Sequence, residues 1–112
     1  MTECPAVAPV DEPVQHFERM RGLLYEMANS VPGAKRLKGL LPNGTVVAHK
    51  TGTGGTKNGI TGATNDIGII FLPNGKHLAI AVFISDSFAD EKTREAVIAK
   101  VAKACWDRWK GN

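Results

Sequence analysis

Phe17, Met20, Leu24 and Met27 recur at three- and four-residue intervals, the spacing of one face of an α-helix. The stripe predicts a helix over 11–29, with Asp11 as N-cap and Pro13 in the first turn, where a missing N–H costs nothing. It reads as core, not as a ligand site. Val31-Pro32-Gly33 breaks the helix, and a short helical turn through Arg36-Leu37-Lys38-Gly39-Leu40-Leu41 follows. Pro42-Asn43-Gly44 then turns the chain into a strand over 45–50. Two further apolar runs, 66–72 and 77–85, are joined by Pro73-Asn74-Gly75-Lys76, whose Asn-Gly pair is a hairpin signal. These three strands predict an antiparallel meander, and their nearly continuous apolar character predicts burial on both faces. Asp90-Glu91 opens a last helix over 90–109, in which Val97, Ile98, Val101, Ala102, Cys105, Trp106 and Trp109 mark a broad apolar face. The expected class is α+β: a three-stranded antiparallel meander flanked by N- and C-terminal helices. A loose arm rich in Pro and Ala over 1–10 precedes a single α/β domain over 11–112.

With 112 residues, 43% of them hydrophobic and no run long enough to span a bilayer, the chain has the size of one domain or part of one. Its net charge of +3 comes from 14 Lys/Arg interspersed with 11 Asp/Glu, and 6% of residues are aromatic. That is no nucleic-acid footprint, and no membrane association is expected either. Cys4 and Cys105 lie at opposite ends and form no metal-type spacing.

The chemistry gathers after Val46-Val47-Ala48, in His49-Lys50-Thr51-Gly52-Thr53-Gly54-Gly55. Here a buried strand reaches the surface with a cation, hydroxyls and then flexible backbone. A Lys ammonium supplies charge, Thr hydroxyls supply directional hydrogen bonds, and glycines let N–H groups approach a ligand without a Cβ in the way. The combination suits an anionic ligand; a strand ending in a glycine-rich turn is the plain structural alternative. The following segment, 52–64, reads as a mobile, solvent-facing loop and contains no phosphate-binding P-loop pattern.

Arg36-Leu37-Lys38-Gly39-Leu40-Leu41-Pro42 precedes this stretch and Thr64-Asn65-Asp66-Ile67-Gly68-Ile69-Ile70 follows it. Leu78-Ala79-Ile80-Ala81-Val82-Phe83, Ser85-Asp86-Ser87 and Arg94-Glu95-Ala96-Val97-Ile98-Ala99 come next. In this order and spacing, from about residue 22 to residue 109, the chain resembles the C-terminal segment of class A serine β-lactamases. Lys50-Thr51-Gly52 matches their Lys-Thr-Gly element. The resemblance implies a partial β-lactamase/transpeptidase-like fold, a β-lactam substrate, and no cofactor or metal. It gives Lys50 an electrostatic role and has Thr51 hydrogen-bond the substrate carboxylate. The backbone N–H of Thr53 becomes one of two oxyanion donors, and Gly52 and Gly54 allow close backbone approach. Arg36 matches a position where some members place a guanidinium that supports carboxylate recognition; a structural ion pair is its alternative role. His49 and His77 have no partners at useful spacing and read as ordinary strand residues, and Asp66 as a structural ion-pair or turn residue.

That family acts through a serine in Ser-x-x-Lys, a second hydroxyl in Ser-Asp-Asn and a loop Glu that directs water. The serines here are Ser30, Ser85 and Ser87, and none has Lys three residues later. Ser85-Asp86-Ser87 has the wrong third residue and follows Lys50, and Glu26 falls on the first helix. The expectation is therefore the Lys-Thr-Gly wall of a serine hydrolase site in a chain that is catalytically incomplete alone. A non-catalytic binding or assembly module, or a remnant of a penicillin-binding peptidase, is the alternative; the Thr64-Asn65-Asp66-Ile67-Gly68 block favours class A. An uncovered sheet face and strand edge predict self-association or a complementary N-terminal segment as partner. The first residues lack the basic start and apolar core of a signal peptide. They suggest a natural truncation, an internal start or an excised piece of a periplasmic or secreted family, cytoplasmic if made as written.

Overall fold

The computed structural model describes residues 13–111, with side chains from Glu18 onward. The arm over 1–10, the Asp11 cap and the Phe17 side chain lie outside the described residues. The elements in chain order are α1 (Pro13–Ala28), β1 (Val47–Thr53), β2 (Thr56–Lys57), β3 (Ile60–Phe71), β4 (His77–Ser87) and α2 (Glu91–Trp109). β3 is central: β1 pairs antiparallel along one edge from Val47↔Ile70 to Thr53↔Thr64, and β4 along the other from Phe71↔His77 to Thr61↔Ser87. The three long strands thus form the expected meander.

The segment 52–64 departs from expectation, because it is a hairpin and not a loose loop. The β1–β3 register continues through Thr56↔Thr61 and Lys57↔Ile60, which makes β2 an extension of β1 beyond Gly54-Gly55. Asn58 and Gly59 close it with φ of 54° and 77°. Two successive positive φ values define the type I′ turn whose twist matches the strands it joins, and Asn-Gly adopts it at least strain. The Thr56 and Thr61 hydroxyls lie 2.7 Å apart across the pair. At the other end, Gly75 N donates to Leu72 O and Leu72 N to Lys76 O, closing the β3–β4 turn.

One sheet face is buried. Leu78, Ile80, Val82 and Ile84 of β4, with Val47 and Ile70, turn toward α2, which presents Ile98, Ala102 and Trp106. These α2 residues repeat every four positions and so share one helix face. Leu37 and Leu41 from the turn before β1 close the cluster. The expected broad face of α2 is narrower, since Val97, Val101 and Trp109 are exposed. Burial of both sheet faces is not met either. Ile67, Ala79, Ala81 and Phe83 are exposed on the far face, which α1 reaches only with its C-terminal end, where Met27 borders Ile67, Ile69 and Ala79. The α1 stripe is accordingly not core: Met20 is exposed, and Leu24 and Met27 are half-buried. The reason is supply, because one docked helix and one turn cover one side of a sheet. No helix among the described residues is long and apolar enough to cross a membrane.

Asp90 caps α2, its side chain accepting from Thr93 N at 2.8 Å; hydrogen bonding to the Thr93 side chain first, and to this N–H second, holds the carboxyl below the usual carboxylate range. The folded group titrates lower than the unfolded one. Its contribution is therefore complete above about pH 4 and is lost as pH falls through the lowered value. The acid limb of a stability–pH profile is expected to shrink in Asp90→Ala. Trp106→Ala is expected to cost about 3–5 kcal/mol in urea unfolding, while Val101→Ala on the open flank stays within about 0.5 kcal/mol.

Candidate functional site

The site is built on the outer edge of β1. Gly54 N donates to Ala63 O and Phe71 N to Val46 O, so the even-numbered residues of β1 exchange hydrogen bonds with β3. Alternation along an antiparallel ladder then turns the N–H and C=O of Thr51 and Thr53 outward. No strand among the described residues pairs with that edge. Lys50 is exposed on the face opposite α2, in register with Ile67 and, through it, Ala81. Its Nζ folds back to donate to the outward Thr51 carbonyl at 2.7 Å. The glycines here answer to packing as well as to any ligand. A Cβ on Gly52 would come within 2.6 Å of Asn65 Oδ1, and one on Gly54 within 3.1 Å of Ala63 N.

Beneath the edge lies Arg36, 3% exposed. Its Nη1 donates to Gly52 O at 3.0 Å and to Asn65 O at 2.8 Å, its Nη2 to Thr53 Oγ1 at 2.7 Å, and its Nε to Glu95 Oε2 at 3.0 Å. The structural ion pair anticipated as one role for Arg36 is therefore present, with α2 supplying the carboxylate. Because the Thr53 hydroxyl oxygen accepts from Arg36, its own hydrogen remains free to donate to a ligand. A second arginine, Arg94, donates from Nε to Thr64 Oγ1 at 2.8 Å and from Nη1 to Ala89 O at 2.6 Å. Thr64 is the cross-strand neighbour of Thr53.

His49 overturns the reading of it as an ordinary strand residue. It is fully buried, and its Nδ1 lies 2.9 and 3.0 Å from the two oxygens of Asp66, also fully buried. Asp66 Oδ2 accepts from Leu37 N as well, at 3.2 Å. A carboxylate can only accept, so the pair assigns a hydrogen to His49 Nδ1. His49 Nε2 has no hydrogen-bond partner among the described residues. The structural role expected of Asp66 thus holds, with a partner the sequence reading did not supply. His77 is exposed at the far end of the sheet, its ring edge-on to Phe71. Of the serines, Ser87 Oγ accepts from Ala89 N in the loop leading to α2.

A model of the beta-lactamase enzyme family matches residues 16–109. The extended-spectrum beta-lactamase PER-1 of Pseudomonas aeruginosa is 52% identical over 97 residues, which are 86% of this chain and 32% of the relative. The crystal structure of the extended-spectrum beta-lactamase TLA-3 superposes with a TM-score of 0.82 at 56% identity, over 84% of this chain and 34% of that one. A class A beta-lactamase of Bacteroides cellulosilyticus gives the same TM-score at 35% identity, over 86% of this chain and 35% of its own. The chain therefore spans about a third of the length of these relatives.

Arg36→Met would leave the Glu95 carboxylate uncompensated and free the tip of β1. Breaking a buried pair from one side costs about 3–5 kcal/mol. Hydrogen exchange is expected to accelerate at the Gly54 N–H, inside the β1–β3 ladder, more than at Ile70 in the core.

Proposed function

The chain belongs to the beta-lactamase enzyme family, with class A relatives, and from that premise we propose that it supplies the Lys-Thr-Gly wall of a β-lactam site. The serine nucleophile that acts against this wall lies outside these residues. The observation that carries the reading is the open edge of β1, where Thr51 and Thr53 turn their backbone groups outward beside Lys50. An outward N–H on rigid backbone is what an oxyanion donor requires, because it needs no reorganisation when charge develops on the carbonyl. In this proposal the Thr53 N–H is one of two such donors. Thr51, helped by the free hydrogen of the Thr53 hydroxyl, binds the substrate carboxylate, and Lys50 raises the local positive potential. Gly52 and Gly54 allow close backbone approach. Arg36 acts through Thr53 and the Gly52 carbonyl, without itself reaching the ligand. An exported location belongs to the same proposal.

The second reading, an assembly module, is favoured by the exposed face around Ile67 and Phe83 and by the unpaired edge of β4 among the described residues. In either reading a complementary segment or a second copy covers apolar surface.

The test is incubation of the purified chain with a chromogenic cephalosporin, following colour and covalent mass together. Neither is expected from the chain alone. Loss of a single oxyanion donor already lowers kcat about 10²–10³-fold, and catalytic groups that act as a unit fail as a unit. Hydrolysis is expected on adding a polypeptide that matches the preceding two-thirds of a relative, and it should disappear with Lys50→Ala. Turnover by the chain alone that Lys50→Ala abolishes would overturn the proposal, because the nucleophile would then lie within these residues.

A further inference from the structure

We propose that Asn58 is a site of spontaneous covalent modification, converted by solvent water to isoaspartate through a cyclic imide shared with Gly59. The inference rests on the β2–β3 hairpin alone and is independent of the β-lactam reading.

The chemistry needs an amide side chain followed by a residue whose N–H nothing crowds. Gly59 N attacks Asn58 Cγ; the new N–C bond closes a five-membered imide, and the side-chain nitrogen leaves as ammonia. Water then opens the ring at either carbonyl. One opening gives aspartate, and the other gives isoaspartate, whose main chain runs through Cβ and Cγ and is longer by one atom. A Cβ on the attacking residue would hinder the approach, and glycine has none.

The pair occurs three times, at Asn43-Gly44, Asn58-Gly59 and Asn74-Gly75. The structure separates them. Asn74 Oδ1 accepts from Lys76 N at 2.9 Å and its Nδ2 donates to Trp109 O at 3.4 Å, while Gly75 N donates to Leu72 O at 3.1 Å. Electrophile and nucleophile are both tied there. Asn43 lies in a turn closed twice, since Pro42 O accepts from Thr45 N at 3.1 Å and from Thr45 Oγ1 at 2.7 Å. Buried Leu41 and Val47 anchor that turn on either side. Asn58 and Gly59 are exposed. In a type I′ turn the one internal hydrogen bond joins the flanking residues, here Lys57 and Ile60, so Gly59 N is left free. A Cβ on Gly59 would meet nothing nearer than Phe88 Cδ1 at 4.0 Å, so the space around the nucleophile is open.

Ring closure swings the Asn58 backbone out of the turn, and its rate therefore follows local opening. Thr56↔Thr61 and Lys57↔Ile60 are the whole pairing of β2, and both β2 residues are exposed. The Asn74 turn instead closes the long β3–β4 ladder that starts at Phe71↔His77.

The product cannot rebuild the turn. A two-residue hairpin fixes the register of its strands, so one extra main-chain atom displaces Thr56 from Thr61, and the new carboxylate stands beside Lys57. The disruption stops at Arg36, whose guanidinium holds Gly52 O, Thr53 Oγ1 and Asn65 O. Isoaspartate at 58 thus frees the hairpin tip that borders the Lys-Thr-Gly edge and leaves the edge in place.

The test is incubation of the whole chain in mildly alkaline buffer, with and without urea, locating isoaspartate by fragment mass spectra and by enzymatic isoaspartyl methylation. Unfolded, the three pairs should react alike. Folded, Asn58 should react ahead of Asn43 and at least about tenfold faster than Asn74, a ratio set by local opening. Gly62 N donates to Gly55 O at 3.1 Å; in the modified chain its hydrogen exchange should accelerate about tenfold or more, while the Gly52 N–H keeps its rate. Asn58→Asp adds the charge without the extra atom and should leave Gly62 exchange close to that of the unmodified chain. Asn43 or Asn74 leading in the folded chain, equal rates at all three, or isoaspartate at 58 with unchanged Gly62 exchange would overturn the proposal. Acceleration in Asn58→Asp equal to that in the isoaspartate form would overturn the role given to the lengthened main chain.

Discussion

Arg36 is the charge on which the arrangement depends. An arginine at 3% exposure is tolerated only when its charge is paired and its donors are satisfied. Here the partners are Glu95, the carbonyls of Gly52 and Asn65, and the Thr53 hydroxyl. The turn before β1, the tip of β1, the centre of β3 and the first turns of α2 are thereby fixed relative to one another by hydrogen-bond geometry as well as by packing. The hydroxyl that meets Arg36 from inside the protein is on the same residue whose N–H leaves the sheet from outside. A change in the guanidinium is therefore transmitted to the candidate oxyanion donor through one residue.

The rest of the structure is one-sided. Ile98, Ala102 and Trp106 bury one face of the sheet, and the other carries Lys50, Ile67, Ala81 and Phe83 in the open. Lys50 and the uncovered apolar surface share that side. A polypeptide that closed the apolar face would also exclude water from the neighbourhood of Lys50. Desolvation would strengthen the field of the ammonium there, so assembly and electrostatics are coupled by position.

The α+β class, the three long strands and α2 were legible in the sequence, because their apolar periods are long and their Asp90 and Asn74-Gly75 punctuation is local. The Lys-Thr-Gly element and Arg36 were legible by resemblance. The pairing of His49 with Asp66 was not, because it depends on register. Asn58-Gly59 was the available signal: taken as a two-residue turn, it fixes Thr51 opposite Asp66 and places His49 diagonally beside that carboxylate. Treated as an irregular loop, 52–64 left the register free. Glu95 could not be found either, since nothing local to α2 says which of its carboxylates meets a guanidinium 59 positions earlier. The α1 stripe and the Val97, Val101 and Trp109 positions have the period of buried faces. Period reports what a face can pack against, and among the described residues only the Leu24 and Met27 end of the stripe is even half-buried.

The Asn58-Gly59 turn has a further consequence for the order in which the molecule forms. Hairpins closed by tight turns zip outward from the turn in about 1–10 μs. β1 with β3, and β3 with β4, are both such neighbours in sequence. The Arg36–Glu95 contact must instead close a loop of 59 positions, an entropic cost met only after the sheet exists to receive α2. The brace of the Lys-Thr-Gly edge is thus expected to be the last part assembled and the first released. Fraying of α2 from its N-terminal end would loosen the site while the strands that carry it remain paired.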